Sequence, residues 1–246
     1  MLKIIFAFLY CTAFLFVSFE ADAREFHTPE RDKRKLVDKQ NIDASLPNVL
    51  ILGDSISIGY THYVRKGLAG KANVIRPKEN CGDTPRGLAQ IDRWLGDTKW
   101  DVIHFNWGLW DLCYRHPESK NQGKRDKVKG KISTPLPEYE KNLEKLVVRL
   151  KQTGASLIWA STTFVPEGEV GRFVGDDVKY NAVAARVMKK HGVVMNDLHT
   201  ISAAFKPEMF TKPGNVHFKA KGSQKLAEQV VAVIQDTLIK KEPQKP

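Results

Sequence analysis

From residue 48 onward, short apolar runs alternate with segments whose apolar residues recur at helical spacing. Asn48-Val-Leu-Ile-Leu52 ends at Gly53, the pattern of a strand buried on both faces. Further strands are expected at 73–76, stopped by Pro77, and at 101–105, 156–160 and 193–195. Between them, Leu88, Ile91 and Leu95 share one face of a helix expected over 84–95. Tyr139, Leu143, Leu146, Val147 and Leu150 do the same in the next, which Gly154 closes. Helices are also expected over 58–69, 177–191 and 221–238, the last with Leu226, Val230, Val233 and Ile234 facing inward.

Strands alternating with helices of this length imply βαβ units. The expected fold is α/β, a flavodoxin-like three-layer αβα sandwich on a five-stranded parallel sheet. Such sheets build their sites at the carboxyl ends of the strands. That rule draws attention to Gly53-Asp54-Ser55, to Cys81-Gly82 and to Asn106-Trp107-Gly108. The 246 residues suit one domain, placed at 47–240, and no internal repeat is visible.

The ends follow other rules. Lys3, the apolar stretch from Ile4 to Phe19 and Ala21-Asp22-Ala23 read as an export signal over residues 1–23, with an uncleaved anchor as the alternative. A polar leader at 24–46 and a basic tail at 241–246 flank the domain. The expected location is periplasmic or secreted, without stable membrane insertion after cleavage. Loss of Lys3, Glu20 and Asp22 with the signal leaves 38 basic and 26 acidic residues, a net charge of +12. That charge suits anionic polysaccharide, anionic lipid head groups or cell-wall polymer better than nucleic acid, which is not an expected partner of an exported chain, and plain solubility is the other reading. Lys120 to Lys131 concentrates positive charge in an insertion after the third strand, either a solvated loop or a rim that recruits acidic substrate. Two cysteines remain, Cys81 and Cys113, and both one disulfide and two buried thiols stay open. No histidine pair or cysteine cluster has metal-ligand spacing, and the phosphate-cradling glycine patterns are absent. No metal and no cofactor are expected. His104, inside a strand, reads as a core histidine.

A serine at a strand-to-helix turn, near a base, is a candidate nucleophile. Ser55 stands there, where free backbone N–H groups favour a developing oxyanion. Gly53-Asp54-Ser55-Ile56, Gly82 after the second strand, Gly108-Leu-Trp-Asp111 after the third and His217 before the last helix fall in the order of four sequence blocks. In this the chain resembles the SGNH/GDSL hydrolases, over roughly residues 48 to 238. The resemblance implies Ser55 as nucleophile and His217 as general base. It implies an oxyanion hole from the N–H groups of Ser55 and Gly82, with Asn106 offered in place of the usual third-block Asn, whose slot holds Trp110.

The triad acid normally lies three residues before the histidine, and Gly214 stands there. A backbone carbonyl or the Asn215 amide oxygen could hold the imidazole N–H instead. If only the acid is missing, Gly214→Asp should raise turnover. Asp197 reads as structural. The implied activity is hydrolysis of a carboxylic ester through an acyl-enzyme, with a short-chain acetyl ester on a carbohydrate as the leading substrate and an anionic one as an option. Lysophospholipase, thioesterase or acyltransferase chemistry on the same site is one alternative. A catalytically impaired carbohydrate-binding relative, suggested by Gly214 and Trp110, is the other.

Overall fold

The computed structural model describes residues 42–118 and 124–241. The export signal, most of the leader, part of the basic insertion and residues 242–246 lie outside the described residues. Among those described, no helix is long and apolar enough to cross a membrane.

Five strands, β1 (Asn48–Leu52), β2 (Asn73–Ile75), β3 (Val102–Phe105), β6 (Ser156–Ala160) and β7 (Val194–Asn196), form one parallel sheet in the order β2-β1-β3-β6-β7. Their side chains are almost entirely buried on β1, β2 and β3, as their unbroken apolar runs require. The edge strand β7 instead exposes Val194 and Met195. Helices α1 (Ser55–Gly67) and α6 (Ala220–Lys241) pack together, and α2 (Thr84–Leu95), α3 (Leu136–Lys151) and α4 (Asp176–His191) pack in series. This is the expected three-layer sandwich. The order reverses between β1 and β3, so the crevice of an open α/β sheet falls between their carboxyl ends.

Local chemistry sets where these helices begin. Asp54 caps α1 by accepting from Ile56 N–H at 2.9 Å, and Asp83 caps α2 by accepting from Arg86 N–H at 3.0 Å. Losing such a cap costs about 1 kcal/mol. The helix expected from residue 58 therefore starts at Ser55: the pattern of apolar residues missed its first turn, which the cap fixes. Asp197 likewise caps a short helix, α5 (Leu198–Ala203), accepting from Thr200 N–H and from Ser161 Oγ, both at 3.0 Å. Its structural reading is the observed one.

Three other expectations meet the structure here. Cys81 and Cys113 are unpaired buried thiols, with burial pushing Cys81 up to about 12. His104 is a core histidine, 3.1 Å from the Asn196 amide and lowered to about 4 by burial. The basic insertion is tied down on both sides. Strands β4 (Tyr114–Arg115) and β5 (Lys131–Ile132) pair antiparallel, and Tyr114 N–H donates to Gly171 O at 2.7 Å. The end of the leader is fastened too: Asn73 Nδ2 donates to Asp43 O at 2.8 Å and to Leu46 O at 3.2 Å.

Candidate active site

The turns after β1, β2 and β3 are bound to one another before any catalytic side chain enters. Cys81 N–H donates to Gly53 O at 3.2 Å, joining the second turn to the first. Asn106 N–H donates to Leu52 O at 3.0 Å, joining the third. Asp111 staples the third turn to the start of α2, its Oδ1 accepting from Thr84 N–H at 2.9 Å and Thr84 Oγ1 at 2.6 Å. Burial holds that carboxyl up at about 7. Gly108 is needed for close packing: a Cβ there would lie 1.9 Å from Thr162 Oγ1 on the loop after β6.

Ser55 is the first residue of α1, so its N–H has no partner within the helix. Its Oγ lies 2.8 Å from His217 Nε2, across 162 residues of sequence. His217 is carried on a tight return between α5 and α6. Phe210 bridges Phe218, Thr211 N–H donates to His217 O at 2.9 Å, and Lys219 N–H to Met209 O at 2.7 Å.

The third member of the chain of bonds is Asn215. Its Oδ1 lies 2.7 Å from His217 Nδ1 and accepts from His217 N–H at 2.9 Å. The second bond decides the first. A backbone N–H can only donate, so the amide must present oxygen to His217. Nδ1 must then carry the proton, which leaves the Nε2 lone pair facing Ser55. That is the tautomer a general base needs. Burial, then the guanidinium groups of Arg172 and Arg125, hold the imidazole below its ordinary value, with Glu169 opposing. His217 is thus neutral at pH 7.

Gly214 explains why the usual acid is missing. Its φ is +65°, and a Cβ there would lie 2.5 Å from Gly168 O and 2.7 Å from Gly168 C. The slot is closed by backbone, so the expectation that Gly214→Asp would raise turnover is corrected: an aspartate cannot enter without moving the return that carries His217. The hydrogen-bond acceptor stands one residue later, at Asn215.

The expected oxyanion donors are placed differently from one another. Ser55 N–H is open. Gly82 N–H donates to Asn80 Oδ1 at 2.8 Å, so this donor is occupied. Asn106 spends one Nδ2 hydrogen on Ala160 O at 2.7 Å, which leaves one. Trp107 is core, buried against Gly87. Trp110, in the usual Asn slot, instead lies under the Arg115 guanidinium at 4.5 Å.

Sequence reasoning missed a buried ion cluster beside the site. Glu169 is fully buried and its Oε1 accepts from Arg125 Nη1 at 2.6 Å and Arg172 Nη1 at 3.0 Å. Arg172 Nε also donates to Leu109 O at 2.7 Å, bridging to the third turn. Glu169 and Arg172 sit three apart in an irregular loop, a spacing that marks nothing outside a helix.

No family model matches the sequence, and a search of curated proteins finds no match. Solved structures do match. The acetyl xylan esterase AlAXEase is 14% identical, covering 76% of this chain and 99% of its own, with a TM-score of 0.62. A lipase/acylhydrolase from Enterococcus faecalis is 18% identical over 77% of this chain and 96% of its own, TM-score 0.62. A protein from Desulfitobacterium hafniense, assigned to the G-D-S-L lipolytic family, is 13% identical over 76% of this chain and 98% of its own, TM-score 0.55. Likeness at such identities is a likeness of fold, and the chain has the fold of the GDSL/SGNH esterases and lipases.

Proposed function

We propose that the chain is a serine ester hydrolase working through an acyl-enzyme. The observation that carries this is the unbroken series Ser55 Oγ, His217 Nε2, His217 Nδ1, Asn215 Oδ1, with gaps of 2.8 Å and 2.7 Å. Ser55 Oγ attacks the ester carbonyl while His217 Nε2 takes its proton. The tetrahedral oxyanion collapses, and the departing alcohol receives that proton from Nε2. Water then attacks the acyl-enzyme with the same base, and the acid leaves. Asn215 orients the imidazole and accepts from the imidazolium, without supplying a negative charge. Ser55 N–H and the remaining Asn106 hydrogen serve the oxyanion, and Gly82 N–H joins them when the oxyanion displaces Asn80 Oδ1.

The substrate within this reading is a short acyl ester, acetyl above all, on a carbohydrate. It rests on the acetyl xylan esterase among the similar structures and on the export motif of residues 1–23. The same motif supports a periplasmic or secreted location. A specific observation favours a second reading, a lipolytic one. Val170, Phe173 and Val174 are exposed on the segment that holds Arg172, and the Enterococcus neighbour is a lipase/acylhydrolase. An impaired binding relative loses part of its motive, because Asn215 does the orienting that Gly214 cannot.

The test is hydrolysis of 4-nitrophenyl acetate, butyrate and octanoate by the purified chain, beside Ser55→Ala and His217→Ala. The expected result is highest kcat/KM on acetate and a fall of about 10³-fold or more in each variant. A rise toward octanoate would favour the lipolytic reading. Turnover that survives both substitutions would sink the mechanism.

A further inference from the structure

The charge beside the site is one-sided. Arg125 and Arg172 lie within electrostatic reach of His217 and of Arg115. Of these guanidinium groups, Arg125 and Arg172 bind one carboxylate, Glu169, and Arg115 has no hydrogen bond to it. Two other acids act on them from a distance. Asp83 reaches Arg115, with its carboxylate committed to capping α2, and Asp54 reaches Arg172 but is buried and its pKa is raised by that burial.

Arg115 is the unmatched member. It is half-buried, and among the described residues its guanidinium makes no hydrogen bond or ion pair; it lies only over the Trp110 ring. Such stacking fixes the group's place without neutralising it. A cation taken partly out of water, with two like charges near it, is costly unless an anion arrives. Burial and its neighbours Arg172 and Arg125 accordingly depress its pKa, with Cys113 and Asp83 opposing. Trp110 stands on the turn after β3, next to Leu109, whose carbonyl accepts from Arg172 Nε at 2.7 Å, and Arg172 is within electrostatic reach of both Arg115 and His217.

We propose that this site selects esters whose alcohol portion carries an oxyanion, a carboxylate or a sulfate on a sugar, and that Arg115 stacked on Trp110 receives it. The inference rests on the esterase reading and names its substrate class. A planar guanidinium matches such groups with paired N–H donors. Binding the anion there would anchor the alcohol portion beside the turn after β3 and leave the chemistry to Ser55 and His217.

The experiment compares acetate release from three polymers with one backbone: acetylated dextran, acetylated carboxymethyl dextran and acetylated dextran sulfate. The expected result is a kcat/KM at least about tenfold higher on one or both charged polymers, a difference of about 1.4 kcal/mol. Which of the two is better identifies the oxyanion. Arg115→Gln should collapse the charged-to-neutral ratio about tenfold. Because the ratio is taken on one preparation, a smaller folded fraction cancels. Equal rates on the three polymers, or a ratio untouched by Arg115→Gln, would overturn the proposal. Hydrolysis of 4-nitrophenyl acetate on the same preparation separates the two levels. Turnover there with no preference among the dextrans overturns this inference alone. Absence of turnover there overturns the esterase reading, and calorimetric affinities for the three unacetylated dextrans then decide the subsite, equal values counting against it.

Discussion

Asn215→Asp changes one atom and should make the protein a faster catalyst. The acceptor is already 2.7 Å from His217 Nδ1 and its oxygen is already the atom presented. Exchange of a triad acid for an amide costs about 10⁴-fold where the wrong tautomer results. Here the tautomer is right, so the reverse exchange restores charge alone. A carboxylate about 4 Å from the imidazolium centre contributes about 4 kcal/mol at an effective dielectric of 20. Asn215 is buried, so desolvating the new carboxylate offsets part of this. If between a third and two thirds survives, about 1.4–2.7 kcal/mol reaches the transition state, where the imidazolium forms. That is a gain of about ten- to a hundredfold in kcat. The same charge raises the His217 pKa, so the acid limb of the rate profile moves to higher pH. The assay is kcat on 4-nitrophenyl acetate across pH, for wild type and variant. Misfolding cannot imitate a gain. A rate equal to or below wild type, with the acid limb unmoved, would refute the assignment of Asn215 as the orienting group.

Other outcomes follow from the same geometry. Gly214→Asp should lower thermal stability and turnover together, because its Cβ meets Gly168 backbone at 2.5 Å; a stable variant with raised activity would contradict the closed slot. In wild type, kcat/KM should rise through a pKa below the ordinary imidazole value of 6.5, since His217 must be neutral to act. Arg172→Gln removes a positive neighbour, so that limb should shift to higher pH, and an unshifted profile would show that the guanidinium does not act on the imidazole. Asp111, held up at about 7 when folded and near 3.8 when unfolded, binds its proton more tightly in the native state. Stability contributed this way is present at acid pH and is lost as pH rises from about 4 through 7. Asp111→Asn should therefore keep more of its Tm than wild type between pH 5 and pH 8, and parallel curves would argue against the raised carboxyl.

What could be read from the sequence follows a physical division. Runs such as 48–52 and 156–160 are buried on both faces, so composition alone marks them, and α2 shows its amphipathic face through Leu88, Ile91 and Leu95. Ser55 and His217 were legible because the turn after β1 and the return before α6 keep residue types in a recognisable order. Asn215 was legible only as an option: sequence can name a group within reach of Nδ1, but the backbone N–H of His217 is what turns its oxygen inward. The Arg172–Glu169–Arg125 cluster was not legible, since it joins an irregular loop to the edge of an insertion. Gly82 could be read only as a glycine after the second strand, and the competing hydrogen bond its N–H donates to Asn80 Oδ1 belongs to a local turn that carries no pattern of its own.

The central claim is that Ser55 is a nucleophile activated by His217. It is tested most directly by reacting the purified chain with a fluorophosphonate and sequencing the labelled peptide by mass spectrometry. The account predicts one phosphonyl adduct, on Ser55, whose rate of formation falls sharply in His217→Ala. A chain that stays unlabelled at neutral pH, or that carries the adduct on another residue, would contradict it.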